Sequence, residues 1–286
     1  MALRHWFKFI RFSHTLFALP FAAVGYTMGL REVQHFEWVT LLLVLLCMVT
    51  NRNAAMAFNR LVDLRIDARN PRTANREIPR RLIPPRAALI FVIVNSILFV
   101  GACACLNRLT LILSPVALLT VFLYSYTKRF TWLCHYILGC GLALAPIGAF
   151  LAVTGHFSAS TVVLGVGVMC WVAGFDIIYA LQDEEFDRSH HLYSIPSRFA
   201  TRVSLHIARI THLFAILSFA TYIVLYMPNI WQAYAALLLF MVVLVYQHWR
   251  FQQNSKGIDG AFMLLNSINS TFFGCLLVLI LLFTQF

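Results

Sequence analysis

Charge is what this chain has least of. Of 286 residues 12% are charged and eleven are acidic, whereas a water-facing surface normally carries about a quarter charged residues. With 60% hydrophobic residues and a mean hydropathy of +0.78, the chain cannot clothe a soluble globule, which excludes a soluble enzyme. None of the seven cysteines stands in a C-x-x-C pair, so metal-knuckle and dithiol-redox readings fall away. Cys103 and Cys105, two apart on a helix, face different ways, and we read all seven as small hydrophobes. No A-x-A cleavage site closes the first apolar run, which outlasts a signal peptide and carries Pro20; it is expected to be retained. No low-complexity tract, linker or soluble insertion interrupts the chain, which reads as one domain over 1–286. The net charge of +11 lacks a water-exposed basic face to go with it, so a nucleic-acid partner is not expected. Nothing in the sequence calls for an obligatory protein partner.

What is present is a series of apolar runs of spanning length, at about 13–31, 38–60, 87–105, 109–126, 132–153, 160–181, 205–226, 229–248 and 261–285. They predict an all-α, polytopic membrane protein of nine transmembrane helices embedded in a lipid bilayer. With the N-terminus placed in the cytoplasm, the basic residues outside the inner segments are Arg31, Arg108 and the intramembrane Arg52. That asymmetry is what the positive-inside rule requires, and nine crossings put the C-terminus outside. The expected location is the bacterial inner, cytoplasmic membrane. The two long polar connections, 61–86 and 183–204, both fall on the cytoplasmic side, where long loops tend to carry function.

The few acids are placed informatively. Asn59, Asp63 and Asp67 recur every four residues at the inner end of the second run, and Asp183 and Asp187 repeat the spacing at the end of the sixth. Such residues share one helical face. Carboxylates four apart repel unless a cation lies between them, and oxygen-only ligands point to Mg²⁺. Because Mg²⁺ usually completes its octahedron with water and substrate phosphates, the implied substrate carries a diphosphate. Arg72 and Arg76, in the following Asn70-Pro71-Arg72-Thr73-Ala74-Asn75-Arg76, can grip phosphate oxygens in bidentate fashion. A surface network of acids neutralising arginines is the plainer alternative.

Arg52 and Asp176 each lie seven residues before a motif, about 10 Å deeper on the same face. A charge at that depth costs about 2.5 to 3.5 kcal/mol on insertion scales and is a functional candidate by default. Either the two form an ion pair that joins helices, or one or both orient an acceptor molecule.

These residues resemble the UbiA family of intramembrane aromatic prenyltransferases. The segment from Arg52 through Asn59, Asp63 and Asp67 to Arg76 is similar to the family's N-x-x-x-D-x-x-x-D signature with its N-P-R-T-x-x-R continuation. The segment from Asp176 through Tyr179, Gln182, Asp183 and Asp187 to Ser194-Ile195-Pro196 is similar to its second aspartate motif, and Tyr124-Ser125-Tyr126-Thr127-Lys128-Arg129 resembles a segment whose lysine meets diphosphate. The likeness is strongest to the bacterial 4-hydroxybenzoate polyprenyltransferase-like branch, some members of which serve a menaquinone route with a naphthoate acceptor. Two departures stand out: His191 replaces a usual glycine, and Glu77-Ile78-Pro79 replaces the commoner Pro-Leu.

The resemblance implies Mg²⁺ held by Asn59, Asp63, Asp67, Asp183 and Asp187, with those aspartates as the catalytic set. Arg72, Arg76 and Lys128 would neutralise the diphosphate of a polyprenyl donor. Tyr179 or Phe175 would face the developing allylic cation, and Arg52 and Asp176 would hold a small aromatic acid. His14 could reach the acceptor cavity, though an interfacial role is the simpler reading, and His190 and His191 face different directions in a loop. Haem or another lipid acceptor, and a membrane transporter, are the rival readings; transporter sites normally sit nearer the midplane.

Overall fold

The computed structural model describes residues 2–10, 17–253 and 260–283; His14 and Lys256 lie outside them. Among the described residues the chain is helical without a strand. It runs α1 (Ala2–Phe9), α2 (Leu19–Val33), α3 (Trp38–Val62), α4 (Leu64–Asp67), α5 (Pro85–Leu106), α6 (Arg108–Thr127), α7 (Cys134–Thr154), α8 (Ala159–Ala180), a 3-10 turn at Leu181–Asp183, then α9 (Glu184–Ser189), α10 (Ile195–Arg198), α11 (Thr201–Tyr226), α12 (Trp231–Gln253) and α13 (Gly260–Phe283).

Local chemistry sets the turning points. Pro85 opens α5, where its missing N–H is no loss. Asn107 caps α6 by accepting from the Thr110 backbone at 2.9 Å, while the Thr110 hydroxyl accepts from the Asn107 N–H, which allows α5 and α6 to meet with a single residue between them. Gly155 ends α7 with φ +75, a conformation that carries no penalty without a Cβ.

The most enclosed element is α8, which packs against α7 and α11. Around its Trp171 gather the rings of Phe17, Phe21, Phe175 and Phe240, and Phe219 and Phe273 extend the cluster. Without a hydrophobic drive between helices in lipid, close approach of backbones supplies the packing. Gly25 and Gly139 provide it: a Cβ on them would lie 2.0 Å from the Pro146 carbonyl oxygen and 2.3 Å from that of Met169. On the outside, Leu89, Ile90, Ile93 and Ile97 of α5 are exposed, as a lipid-facing stripe should be.

Eight described helices are long and apolar enough to cross a membrane, namely α3, α5, α6, α7, α8 with its extension to Ser189, α11, α12 and α13. The expected ninth crossing corresponds to α2, whose 15 residues rise about 22 Å, short of a 30 Å hydrocarbon core. Length and composition therefore establish eight, and the count of nine is not reached on those grounds.

Candidate active site

The two aspartate motifs sit where long helices break. α3 ends at Val62, and Asp63 joins it to α4, but the Asp63 N–H still donates to the Asn59 carbonyl at 2.9 Å and that of Asp67 to Asp63 at 2.7 Å. The four-residue spacing thus keeps Asn59, Asp63 and Asp67 on one side through the break. Asp183 ends the 3-10 turn after α8, and Asp187 lies one turn on in α9.

All four carboxylates line a polar chamber of about 130 Å³ together with Asn59, Asn70, Arg72, Arg76, Lys128 and Tyr179. Their partners come from two short segments. The 70–76 loop holds Asp67 and Asp183: Arg76 donates from Nη1 to both oxygens of Asp67 at 2.8 Å, Arg72 donates from Nε to Asp183 Oδ1 at 2.8 Å and from Nη2 to Oδ2, and Asn70 adds a bond of 3.0 Å to Asp183. The 128–129 turn holds the other two, Arg129 reaching Asp63 at 3.1 Å and Lys128 lying 3.9 Å from Asp187. Asn59 donates to the other oxygen of Asp63 at 3.1 Å, and the Ser194 hydroxyl to Asp187 at 3.0 Å. Arg72 also donates to the Tyr179 hydroxyl at 3.2 Å and lies over its ring. Burial pushes the Asp63 carboxyl up to about 6 against the pull of Arg129. Burial alone would lower the Arg72 guanidinium, but its bond to Asp183 holds it above its ordinary value.

Behind the chamber opens an apolar cavity of about 580 Å³, walled by α3, α5, α6, α7 and α8. Asn59, Arg76, Tyr124, Asp176 and Tyr179 line both spaces and form the junction. Arg52 lines the cavity and donates to the Ile10 carbonyl at 3.1 Å. Phe175 lines it too, stacked on Phe17 with ring centroids 5.6 Å apart. Asp176 is held by His135, whose Nδ1 lies 2.7 Å from Oδ2. Asp176 is thus paired with an imidazole rather than with Arg52, the ion pair between the two being one of the two alternatives read from the sequence. No motif surrounds His135, which opens an apolar run; its one signal in the sequence is that of any ionisable residue in a membrane helix.

Both departures from the family wording have a place. His191 has φ +54, the left-handed region in which glycine is the ordinary choice. Glu77 pairs with the buried Arg60 at 3.3 Å and so anchors the loop that carries Arg72 and Arg76. The cysteines divide as their spacing implies: Cys103 is buried 3.7 Å from Cys47, and Cys105 is exposed.

The chamber's acceptor atoms suit a hard cation, being side-chain oxygens, chiefly those of aspartate and asparagine. Among the described residues no three His, Cys, Asp or Glu side chains converge on a single point. That is no obstacle for Mg²⁺, which binds through one or two carboxylates and takes its remaining oxygens from water and phosphate. Asn59, Asp63, Asp67, Asp183 and Asp187 are the residues that could hold it.

Fold and site together define a polytopic membrane protein with a charged chamber set over an apolar cavity. The UbiA prenyltransferase family model matches residues 18–281, and the chain belongs to that family. A UbiA homolog from Aeropyrum pernix superposes with a TM-score of 0.83 at 30% identity, over 93% of this chain and 97% of that one. A UbiA homolog from Archaeoglobus fulgidus bound to GPP and Mg²⁺ shares the fold at 16% identity, with a TM-score of 0.75, over 96% of this chain and 99% of that one. The 4-hydroxybenzoate octaprenyltransferase of Aliivibrio salmonicida is 29% identical over 238 residues, 82% of this chain and 79% of that protein. The enzyme of that name from Saccharophagus degradans is 32% identical over 151 residues, where the chain covers 53% of its own length and 50% of its relative's.

Proposed function

We propose that this protein transfers a polyprenyl group from polyprenyl diphosphate to the ring of a 4-hydroxybenzoate-like aromatic acid in quinone synthesis, with Mg²⁺ as cofactor. The observation that carries the reading is the junction itself. A chamber that holds the four motif carboxylates among cations opens directly into a cavity large and apolar enough for an isoprenoid chain. The shared name of the curated relatives favours a benzoate over a naphthoate acceptor.

Bound Mg²⁺ would neutralise diphosphate charge and so make it a leaving group. Arg72, Arg76 and Lys128 neutralise what remains, the arginines with paired donors suited to phosphate oxygens. As the allylic C–O bond breaks, positive charge spreads over isoprenoid carbons at the junction, where the ring of Tyr179 and, deeper, that of Phe175 offer their negative faces. A new C–C bond then forms to the acceptor ring, which gives the proton of the attacked carbon to the departing diphosphate. In this reading Arg52 takes the acceptor's carboxylate and Asp176 its hydroxyl. The single domain over 1–286 sits in the cytoplasmic membrane with nine crossings, counting α2. Its N-terminus and charged chamber face the cytoplasm and its C-terminus lies outside, following the distribution of Lys and Arg.

The test is prenyl transfer by purified protein in liposomes, with and without Mg²⁺, offering 4-hydroxybenzoate and a dihydroxynaphthoate in parallel and reading product by mass spectrometry. Mg²⁺-dependent product from the benzoate is expected. Product from the naphthoate alone would reassign the acceptor, and no product from either by folded protein would overturn the reading in favour of haem or lipid acceptors and then transport.

A further inference from the structure

We propose that His135 is a positioning residue that fixes Asp176 for the aromatic acceptor and ties it to the loop that holds Asp187. The inference rests on the reading of Asp176 as an acceptor-facing residue. His135 stands in the first turn of α7 with its side chain wholly buried, while that of Asp176 is 15% exposed. The ring has a partner at each nitrogen. Nε2 accepts the backbone N–H of Ile195 at 3.2 Å, and Nδ1 lies 2.7 Å from Asp176 Oδ2. An N–H can be met only by a lone pair, so Nε2 carries no hydrogen. The hydrogen is therefore on Nδ1 and is donated to the carboxylate, which fixes the tautomer and the ring plane together.

Two consequences follow for the site. With Oδ2 engaged by His135, Asp176 is held in one orientation, facing both the chamber and the cavity, and Oδ1 is the oxygen left for an acceptor hydroxyl. On its other side the imidazole grips the first residue of α10. The preceding Ser194 donates to Asp187 at 3.0 Å and closes a capping box with Ser197. One buried ring thus links the carboxylate proposed for the acceptor to the segment that sets one proposed for the diphosphate. A neutral amide is the natural replacement, since glutamine also carries one donor and one acceptor about as far apart as the ring nitrogens.

The experiment measures steady-state transfer in liposomes for wild type, His135→Leu and His135→Gln, varying acceptor and prenyl diphosphate separately. In His135→Leu the KM for the aromatic acid should rise about 10- to 100-fold, as expected when a charge-assisted hydrogen bond is lost. The KM for prenyl diphosphate should rise by less, about threefold at most, because Asp187 keeps its Ser194 and Lys128 contacts when only the Ile195 tie is lost, and His135→Gln should restore most of the acceptor affinity. If His135→Leu does not accumulate as folded protein, His135→Asn, too short to span both partners, should show an intermediate acceptor KM. Unchanged acceptor KM in the folded variants, or equal loss for both substrates without rescue by glutamine, would overturn the inference alone. Failure of the wild-type protein to prenylate any aromatic acid would overturn the functional reading, and the inference with it.

Discussion

The polar chamber, about 130 Å³, is lined by the four motif carboxylates, each met by a cation at 2.8 to 3.9 Å, and by Asp176, whereas the cavity behind it, about 580 Å³, is walled mainly by Ala, Val, Leu and Phe side chains. The chamber is built from charge geometry. Each aspartate of a motif is matched from a different segment, so the 70–76 loop grips one carboxylate of each pair and the 128–129 turn grips the other. That cross-bracing makes the two motifs a single object although 120 residues separate Asp63 from Asp183. The cavity wall carries polar contacts of its own, Asp176 with His135 and Arg52 with the Ile10 carbonyl, but its space is set by where helices stand apart. Substitutions in the chamber should therefore strike the chemistry, and substitutions in the cavity should sort substrates.

The largest effect is expected at Asp183, which receives two bonds from Arg72 and one from Asn70. Asp183→Asn keeps the shape and removes the charge. Turnover should fall by roughly 10³-fold, the scale of losing a dedicated electrostatic contact in a closed site, while the protein stays folded in the membrane. Wild-type rates in this variant would sink the diphosphate assignment.

The same contrast separates what is legible in the amino-acid sequence from what is not. Asn59, Asp63 and Asp67, like Asp183 and Asp187, announce themselves because a helical repeat of four is a local property and acids are otherwise scarce. Membrane crossings are legible for a similar reason, and only α2, too short for the ordinary criterion, leaves the count open. Which arginine serves which aspartate is out of reach of any local pattern, because Arg72 crosses to Asp183 while Arg76 returns to Asp67, a choice made by the fold of the 70–76 loop. The cavity is illegible for the most part: its wall combines single turns from many helices, and no periodicity marks them. Arg52 and Asp176 are visible as buried charges, but the partner of Asp176 is a histidine that no motif marks.

A smaller and more selective loss is expected at Arg52. If it receives the acceptor's carboxylate, Arg52→Gln should raise the KM for the aromatic acid about 10- to 100-fold and leave that for prenyl diphosphate unchanged. Its bond to the Ile10 carbonyl supplies the competing account. Were anchoring the N-terminal segment its whole role, the variant would melt at a lower temperature with both KM values intact. Separate titration of the two substrates, beside a thermal melt in detergent, decides between them.

The mildest effect should come from the cavity wall, and it should depend on the donor rather than on the chemistry. Gly148 lies fourteen residues beyond Cys134 on α7, about 21 Å along the helix. It lines the cavity, and a Cβ added there meets nothing within 4 Å, so a side chain can start from this position without a clash. In Gly148→Leu a long polyprenyl chain that occupies this depth must yield volume to the leucine, whereas a two-unit geranyl chain ends before it. We expect kcat/KM to drop about tenfold for long donors, the scale of a steric misfit in a hydrophobic pocket, and to stay level for geranyl diphosphate. Competition between the two donors in one reaction reads the ratio directly, free of differences in protein amount. An unaltered ratio would mean that the chain leaves the junction by another route, most simply sideways between helices into lipid, and the cavity would then lose its assignment while the chamber kept its own.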